Sequence, residues 1–198
     1  MTIAYNNYNF AKRKIEAFYH MTHIDNISSI MTNGLLAHGN EFQKQDISDH
    51  AVNDRRSKLE TVYLKPVHSY VPFYFNPKNA MLYRRKGIQE EIVILVFSKN
   101  LINEEGTVFT DGNASSGATR FFNNLEDLKW LKWNCLNDRS WYNHRDGRRV
   151  RMAEVLVPHR VGVEKLEKII CCSHKTYARL KQVVPVHIDV ELDRKFYF

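Results

Sequence analysis

Apolar and polar positions follow two different periods along this chain. In THIDNISSIMTNGLL (22–36), Ile24, Ile27, Ile30 and Met31 recur at three- and four-residue steps, which predicts a short amphipathic helix. Asp25 or Thr22 can cap its start, and Gly34 supplies a left-handed exit. EIVILVF (91–97) is a continuous apolar run bounded by charge, the pattern of a strand buried on both faces. TVFTD (107–111), AEVLV (153–157), KIICC (168–172) and VVPVHIDV (183–190) predict further strands. TVYLKP (61–66) and SYVPFYF (69–75) read as extended, with Pro72 placing the second at an edge or a bend. NNLEDLKWLKW (123–133) carries Leu125, Leu128 and Leu131 on one helical stripe after a possible Asn124 cap. SHKTYARLKQ (173–182) predicts a helix starting at a serine cap, and DHAVNDRRSKLE (49–60) a short one. Helices and short strands are mixed without regular βαβ alternation, which predicts an α+β fold.

Composition narrows the class. At 198 residues and 43% apolar, the chain can form one domain with a real core. Its 29 basic against 22 acidic side chains give +7, which suits a polyanionic partner but also an ordinary basic protein. Three cysteines, two of them adjacent, form no CxxC. That argues against a disulfide framework and a structural zinc, and a reducing cytoplasm is the simplest compartment. No apolar run nears the roughly 20 residues that span a bilayer, so no membrane association is expected. The first residues, MTIAYNNYNFAKRKI, lack the charged-then-apolar order of a signal peptide. There is no GxGxxG, no GK[ST] loop and no HExxH, and the nine histidines show no metal-ligand spacing. The Gly/Ser-rich GNASSGA (112–118) reads as a turn.

Four constellations carry possible chemistry. His20 and Thr22 point to one face if residues 20–22 are extended. They are either a strand pair beside a helix cap or a hydrogen-bonding pair for a ribose or an amide. Arg55-Arg56 is either a solvated basic face or a guanidinium fork for phosphate or carboxylate. YVPFYFNPKNAMLY (70–83) fills a core or, leaving its strand at Asn76-Pro77, lines a rim for flat rings. Glu154 opens an apolar strand after the 17-residue polar stretch NDRSWYNHRDGRRVRMA (137–153). A carboxylate there is costly to bury unless paired or used, so it is a catalytic group or half of a buried ion pair. Loops as long and polar as 137–152 are more often functional than filler.

In this order the stretches YHMTHIDN, DRRS, YVPFYFNP with MLY, VFTD, FFNNLEDL with LKW, AEVLV and the terminal FYF resemble the DarT family of DNA ADP-ribosyltransferase toxins. The resemblance spans nearly the whole chain, one DarT-like domain over 1–198. It implies an ADP-ribosyltransferase-like α+β fold, a mixed and largely antiparallel sheet with flanking helices. NAD is then the co-substrate, bound by His20, Thr22, Gly34, Leu36, Tyr74 and Met81, with no metal. Arg56 is the NAD-positioning arginine and Glu154 the catalytic glutamate. The loop 137–152 corresponds to a substrate-recognition loop, with Arg139, Arg145, Arg148, Arg149 and Arg151 on phosphates and Trp141 or Tyr142 stacked on a base. The implied substrate is a base in single-stranded DNA, thymine first. The implied partner is a macrodomain antitoxin (DarG-like) that removes the modification, and the chain is expected to act as a monomer. On the residues alone other classes stay open. They are a non-enzymatic single-strand nucleic-acid binder, an ADP-ribosyltransferase acting on protein or RNA, and a nuclease, for which no paired carboxylate cluster stands out.

Overall fold

The computed structural model describes residue 10 and residues 13–42, 44–47 and 55–198. Among these, ten strands form one eight-stranded sheet, in the order β10-β9-β4-β1-β3-β7-β5-β6, and a separate β2-β8 pair. The strand β4 (Ile92–Ser98) is central, and its apolar run is buried from end to end. Its alternation divides the core in two. Val93, Leu95 and Phe97 join a cluster with Phe18, Phe73 and Val155, while Ile92, Ile94 and Val96 join Met21 and Tyr74. The expectation of burial on both faces therefore holds.

β1 (Ala17–His23) pairs antiparallel with β4 along its whole length, from Ala17↔Ser98 to His23↔Ile92. β3 (Tyr70–Tyr74) pairs equally fully with β7 (Glu154–Pro158), from Tyr70↔Pro158 to Tyr74↔Glu154. Between β1 and β3 the ladder is a single pair, Tyr19↔Tyr74. The sheet therefore consists of two halves joined at one end and open along the rest. Pro72 lies inside the sheet rather than at the expected edge. The backbone groups of Tyr74 face β1, so those of Pro72, two residues away, do too. Proline has no N–H to give, and the Pro72 carbonyl accepts a side-chain bond from His20 instead. The proline thus sits where the sheet splits.

Around this frame, α1 (Ile27–Asn33) follows a 3₁₀ turn at Ile24–Asn26. His23, not the expected Asp25 or Thr22, caps that turn by accepting from the Asp25 N–H. The exit is as expected. Gly34 has φ 77°, and a Cβ there would lie 2.8 Å from the Val161 carbonyl oxygen, so only glycine fits. β2 (Leu35–Leu36) then pairs with β8 (Arg160–Val161). α2 (Ala80–Arg84) is capped by Asn79, β5 is Val108–Thr110 and β6 is Phe121–Phe122. The stripe of leucines forms a 3₁₀ helix, Leu125–Trp130, with the expected Asn124 cap. α3 (Trp133–Asn137) and α4 (Gly147–Val150) bracket the polar stretch.

β9 (Leu166–Cys171), the Ser173-capped α5 (His174–Val183) and β10 (Asp189–Leu192) complete the chain. β10 starts later than VVPVHIDV suggested, because Val183 still belongs to α5 and Pro185 cannot continue it. Tyr197 ties the terminal FYF down, its hydroxyl sharing its one proton between the carbonyl oxygens of Ile92 and Ile170, 3.0 and 2.9 Å away. TVYLKP is not extended. It turns around the buried Glu60 carboxylate, which accepts from the N–H groups of Val62, Tyr63 and Lys65 and from the Tyr70 hydroxyl. Of the helix expected at 49–60, residues 49–54 lie outside the described residues, and Arg56–Ser57 form a turn.

Candidate active site

The opening between β1 and β3 becomes a cavity of about 880 Å³. His20 and Thr22 line one wall from β1, as their two-residue spacing requires, and Tyr74 comes from β3. Gly34 and Leu36 close a second side. Met81 and Arg84 reach in from α2, and Arg56 enters from the turn after the long polar segment. The fold thus brings together all six residues expected to hold the co-substrate, with Arg56.

At the floor stands the Arg56–Glu154 pair. Glu154 is fully buried and Arg56 nearly so. The Nη1 of Arg56 donates to both carboxylate oxygens, at 2.9 Å to Oε2 and 3.2 Å to Oε1. The Ala114 N–H donates to Oε1 at 2.9 Å. The Glu154 N–H donates to the Thr110 hydroxyl, also at 2.9 Å. Arg56, not Glu154, faces the cavity. Its Nη2 is buried and meets no acceptor among the described residues. A buried guanidinium nitrogen without a partner is costly, and the side chain that carries it lines a cavity large enough for a dinucleotide. The ion-pair and catalytic readings of Glu154 therefore meet in one arrangement. The carboxylate compensates and orients the cation that the cavity exposes.

His20 is held as a neutral acceptor. Its Nδ1 lies 2.8 Å from the Pro72 carbonyl oxygen, which can only accept, so Nδ1 carries the proton and Nε2 keeps a lone pair. Desolvation lowers its pKa to about 4, outweighing the opposing effect of that hydrogen bond. Thr22 is fixed by Asn26, whose amide donates to the Thr22 hydroxyl at 2.9 Å and to the Gln45 carbonyl, while its carbonyl accepts from the Lys44 and Gln45 N–H groups. No local pattern singles out Asn26, a polar residue within the 3₁₀ turn. The Tyr74 hydroxyl donates to the Met81 sulfur at 3.8 Å, and burial pushes the phenol well above its ordinary value.

The polar stretch 137–152 divides. Arg148 is exposed at the cavity rim. Tyr142 is 70% exposed. Arg139 and Arg145 are exposed but do not line the cavity. Trp141 and Arg151, expected on DNA, are instead 3% and 1% exposed. Arg151 donates to the carbonyls of Asp138 and Lys78, at 2.5 and 3.4 Å, and so closes the stretch on itself. A polar loop this long needs internal anchors, and pattern alone does not tell an anchor from a ligand.

Arg149 is likewise committed to the protein. It donates to Asp146 at 2.5 Å, and to Asp111 and the Thr119 hydroxyl at 3.0 Å each. Its carbonyl accepts from the Asn113 N–H, and its side chain packs where a Gly112 Cβ would stand, 2.3 Å from Nη1. Arg149 thus clamps the 111–119 turn, which carries the Ala114 N–H to Glu154. GNASSGA is a turn, as expected, but one that lines the cavity and touches the buried carboxylate. Its small residues were the available signal.

The split sheet, the cavity in the split, the neutral imidazole beside a hydroxyl on one wall and the buried guanidinium–carboxylate pair beneath form one site. Comparison with known proteins identifies its kind. Residues 19–198 match the family described as "DarT: ssDNA thymidine ADP-ribosyltransferase, DarT", and the chain belongs to that family.

A DNA ADP-ribosyl transferase of Thermus sp. (strain 2.9) is 37% identical over 171 residues, covering 79% of this chain and 81% of the relative. A DNA ADP-ribosyl transferase-DNA ADP-ribosyl glycohydrolase fusion protein of Thermosipho africanus (strain H17ap60334) is 29% identical over 196 residues. That match covers 93% of this chain and 50% of the fusion. Thermus sp. 2.9 DarT in complex with ADP-ribosylated ssDNA superposes with a TM-score of 0.85 at 28% identity, over 93% of this chain and 97% of that one. The same protein in complex with NAD+ gives 0.80 at 30% identity, over 93% and 98%. The α+β ADP-ribosyltransferase fold and the family resemblance both hold. Among the described residues no helix is long and apolar enough to cross a membrane.

Proposed function

We propose that this chain transfers ADP-ribose from NAD to thymine in single-stranded DNA, as the cytoplasmic, monomeric toxin of a toxin–antitoxin pair. The observation that carries the reading is the buried Arg56–Glu154 pair, in which Arg56 keeps one unpartnered nitrogen and lines the cavity. The complexes of the Thermus relative with NAD+ and with ADP-ribosylated ssDNA support the substrates. The fusion of the Thermosipho relative to a glycohydrolase supports a DarG-like macrodomain partner that reverses the reaction.

In this mechanism His20, Thr22, Gly34, Leu36, Tyr74 and Met81 hold the nicotinamide end of NAD. His20 Nε2 accepts from an amide N–H or a ribose hydroxyl. Arg56 donates its free Nη2 to NAD and stabilises charge. The bond between the ribose carbon and the nicotinamide nitrogen breaks, and its electron pair leaves with neutral nicotinamide. The carbon passes through an oxocarbenium-like state and bonds to thymine N3. The N3 proton goes to Glu154, reached once Arg56 has turned toward NAD. Catalysis is then positioning and electrostatics. On the DNA side Arg148 and Tyr142 remain in contact positions, while Arg149, Arg151 and Trp141 act by holding the loop.

The test is incubation of the protein with NAD and defined single-stranded oligonucleotides, followed by mass measurement of the DNA. The expected result is one added ADP-ribose on strands containing thymine and little on matched duplexes, where opening costs a few kcal/mol. Label on guanine would overturn the base, and label on protein or RNA with DNA untouched would overturn the substrate class.

A further inference from the structure

Outside the cavity, on the far side of α2, four aromatic rings pack together. Trp141 is the buried hub. Tyr142 stacks on it in near-parallel fashion, with centroids 5.2 Å apart and an interplanar angle of 28°. Tyr83 and Phe198 meet it edge-on at 6.1 and 5.7 Å, and each other at 5.2 Å. The outer three are open to solvent, at 70% for Tyr142, 38% for Tyr83 and 41% for Phe198. Two ammonium groups stand over them, Lys86 at 5.0 Å from the Tyr83 centroid and Lys78 at 5.2 Å from that of Phe198.

We propose that this surface is a base-stacking platform for the nucleotides flanking the modified base. It rests on the single-stranded DNA reading given above and extends it beyond the cavity. Three observations favour this occupant. The rings are exposed but not loose, because the buried Trp141 fixes them, so little ordering entropy is lost when a flat base is laid on Tyr142 or Tyr83. The lysines beside them match a phosphate backbone and are unsuited to an apolar protein partner. The patch is also continuous with the cavity. Tyr83 lies on α2 between Met81 and Arg84, both of which line it, and Tyr142 lies on the segment that carries Arg148 to its rim. A strand whose target base occupies the cavity leaves across α2 onto these rings. Stacking on π-faces tolerates any base, so the platform favours long single strands.

The experiment uses the full chain with NAD and a series of single strands that share one thymine-containing core and grow stepwise at either end. KM for DNA is measured for the wild type, Tyr83→Ala, Tyr142→Ala, Tyr142→Phe and the Lys78→Glu/Lys86→Glu pair, with KM for NAD and the melting temperature alongside. In the wild type, KM is expected to fall as the strand lengthens. Each alanine variant should raise KM for the long strands by about fivefold or more and flatten the length dependence. Tyr142→Phe should keep it, since the ring is what stacks. The lysine pair should weaken long strands most at low salt. An unchanged length dependence in both alanine variants would overturn the platform. So would a matching rise in KM for NAD, which would make the rings a support of the cavity. A wild type that modifies strands of every length equally well would overturn it too, while leaving the transferase reading intact. A wild type that modifies no strand would bring down both.

Discussion

The floor and the rim of the cavity are built in opposite ways. The floor stands on strands. Glu154 is fixed by its place in β7 opposite Tyr74, and Arg56, 98 residues away in sequence, is fixed by Glu154. The rim stands on turns of few residues, and ion pairs hold them: Asp111 with Arg120 at 2.8 Å, and Arg149 with Asp111 at 3.0 Å and Asp146 at 2.5 Å. Of these, Asp111 and Arg149 are largely buried, whereas Arg120 and Asp146 are about half exposed or more. Exposed pairs are screened by salt and each contributes little, while a buried pair is costly to break. The difference assigns the two regions different work. Under the proposed mechanism the floor determines whether the reaction proceeds, and the rim determines how well the floor is aligned and which strand is held.

The most severe way to break this contrast is at Glu154. Glu154→Gln keeps the shape and loses the charge that balances Arg56. Turnover should fall by about 10²- to 10⁴-fold, with the affinity for NAD, measured by calorimetry, changing much less. Near-normal transfer would remove Glu154 from the reaction. Both Glu154→Gln and Glu154→Ala should also unfold at lower urea, because a buried charge left alone costs about 3–5 kcal/mol.

Arg149 sharpens the contrast. As a clamp on the 111–119 turn it acts on Glu154 through Ala114, so Arg149→Ala should lower kcat by about tenfold, the cost of roughly one misplaced hydrogen bond, with KM for DNA and NAD little changed. Arg149→Lys, which retains a cation beside Asp111, should recover part of the loss. A rise in KM for DNA at constant kcat would return this arginine to the strand. Arg148 gives the opposite pattern. Its loss should leave kcat unchanged, weaken DNA binding uniformly across sequences and reduce the salt slope by about one, as read from binding isotherms at several salt concentrations.

The smallest effect concerns acid. His20 in the folded chain takes up a second proton only as pH falls to about 4, against 6.5 for the free side chain. The unfolded chain takes up this proton first, so His20 removes stability as pH falls from about 6.5 to about 4 and has no such effect above that window. Urea midpoints of the wild type should decline across it, and His20→Gln should flatten that part of the curve. KM for NAD should show no break near 6.5, since the folded imidazole stays neutral there.

Much of the frame was legible because it rests on local pattern. The apolar run 91–97 could only be an internal strand, Gly34 could only be an exit, and Ser173 and Asn124 cap where their types predict. The cavity residues were legible through a different route, the order of short motifs along the chain. Trp141 and Arg151 were misread because burial is not written in residue type. An aromatic and a cation in a polar stretch look the same whether they face solvent or anchor the loop, and here the long-range contacts to Lys78 and Asp138 decided it. TVYLKP was misread for the same reason. A carboxylate that gathers backbone N–H groups outweighs the strand propensity of valine and tyrosine.

The sequence by itself determined the strands at 70–74, 92–98, 108–110, 154–158 and 166–171, the helices at 27–33 and 174–183, the placement of His20 beside Thr22 and the position of a lone carboxylate at the head of an apolar strand. All of these follow from periods of two and of about 3.6 residues and from the cost of burying charge. Only the tertiary structure decided that the sheet opens at Pro72, that Arg56 rather than Glu154 meets the cavity, and that the Gly/Ser turn and Arg149 belong to the site. Each depends on which segments distant in the chain are pressed together, and hydrogen-bond geometry and burial are properties of those meetings rather than of any one stretch.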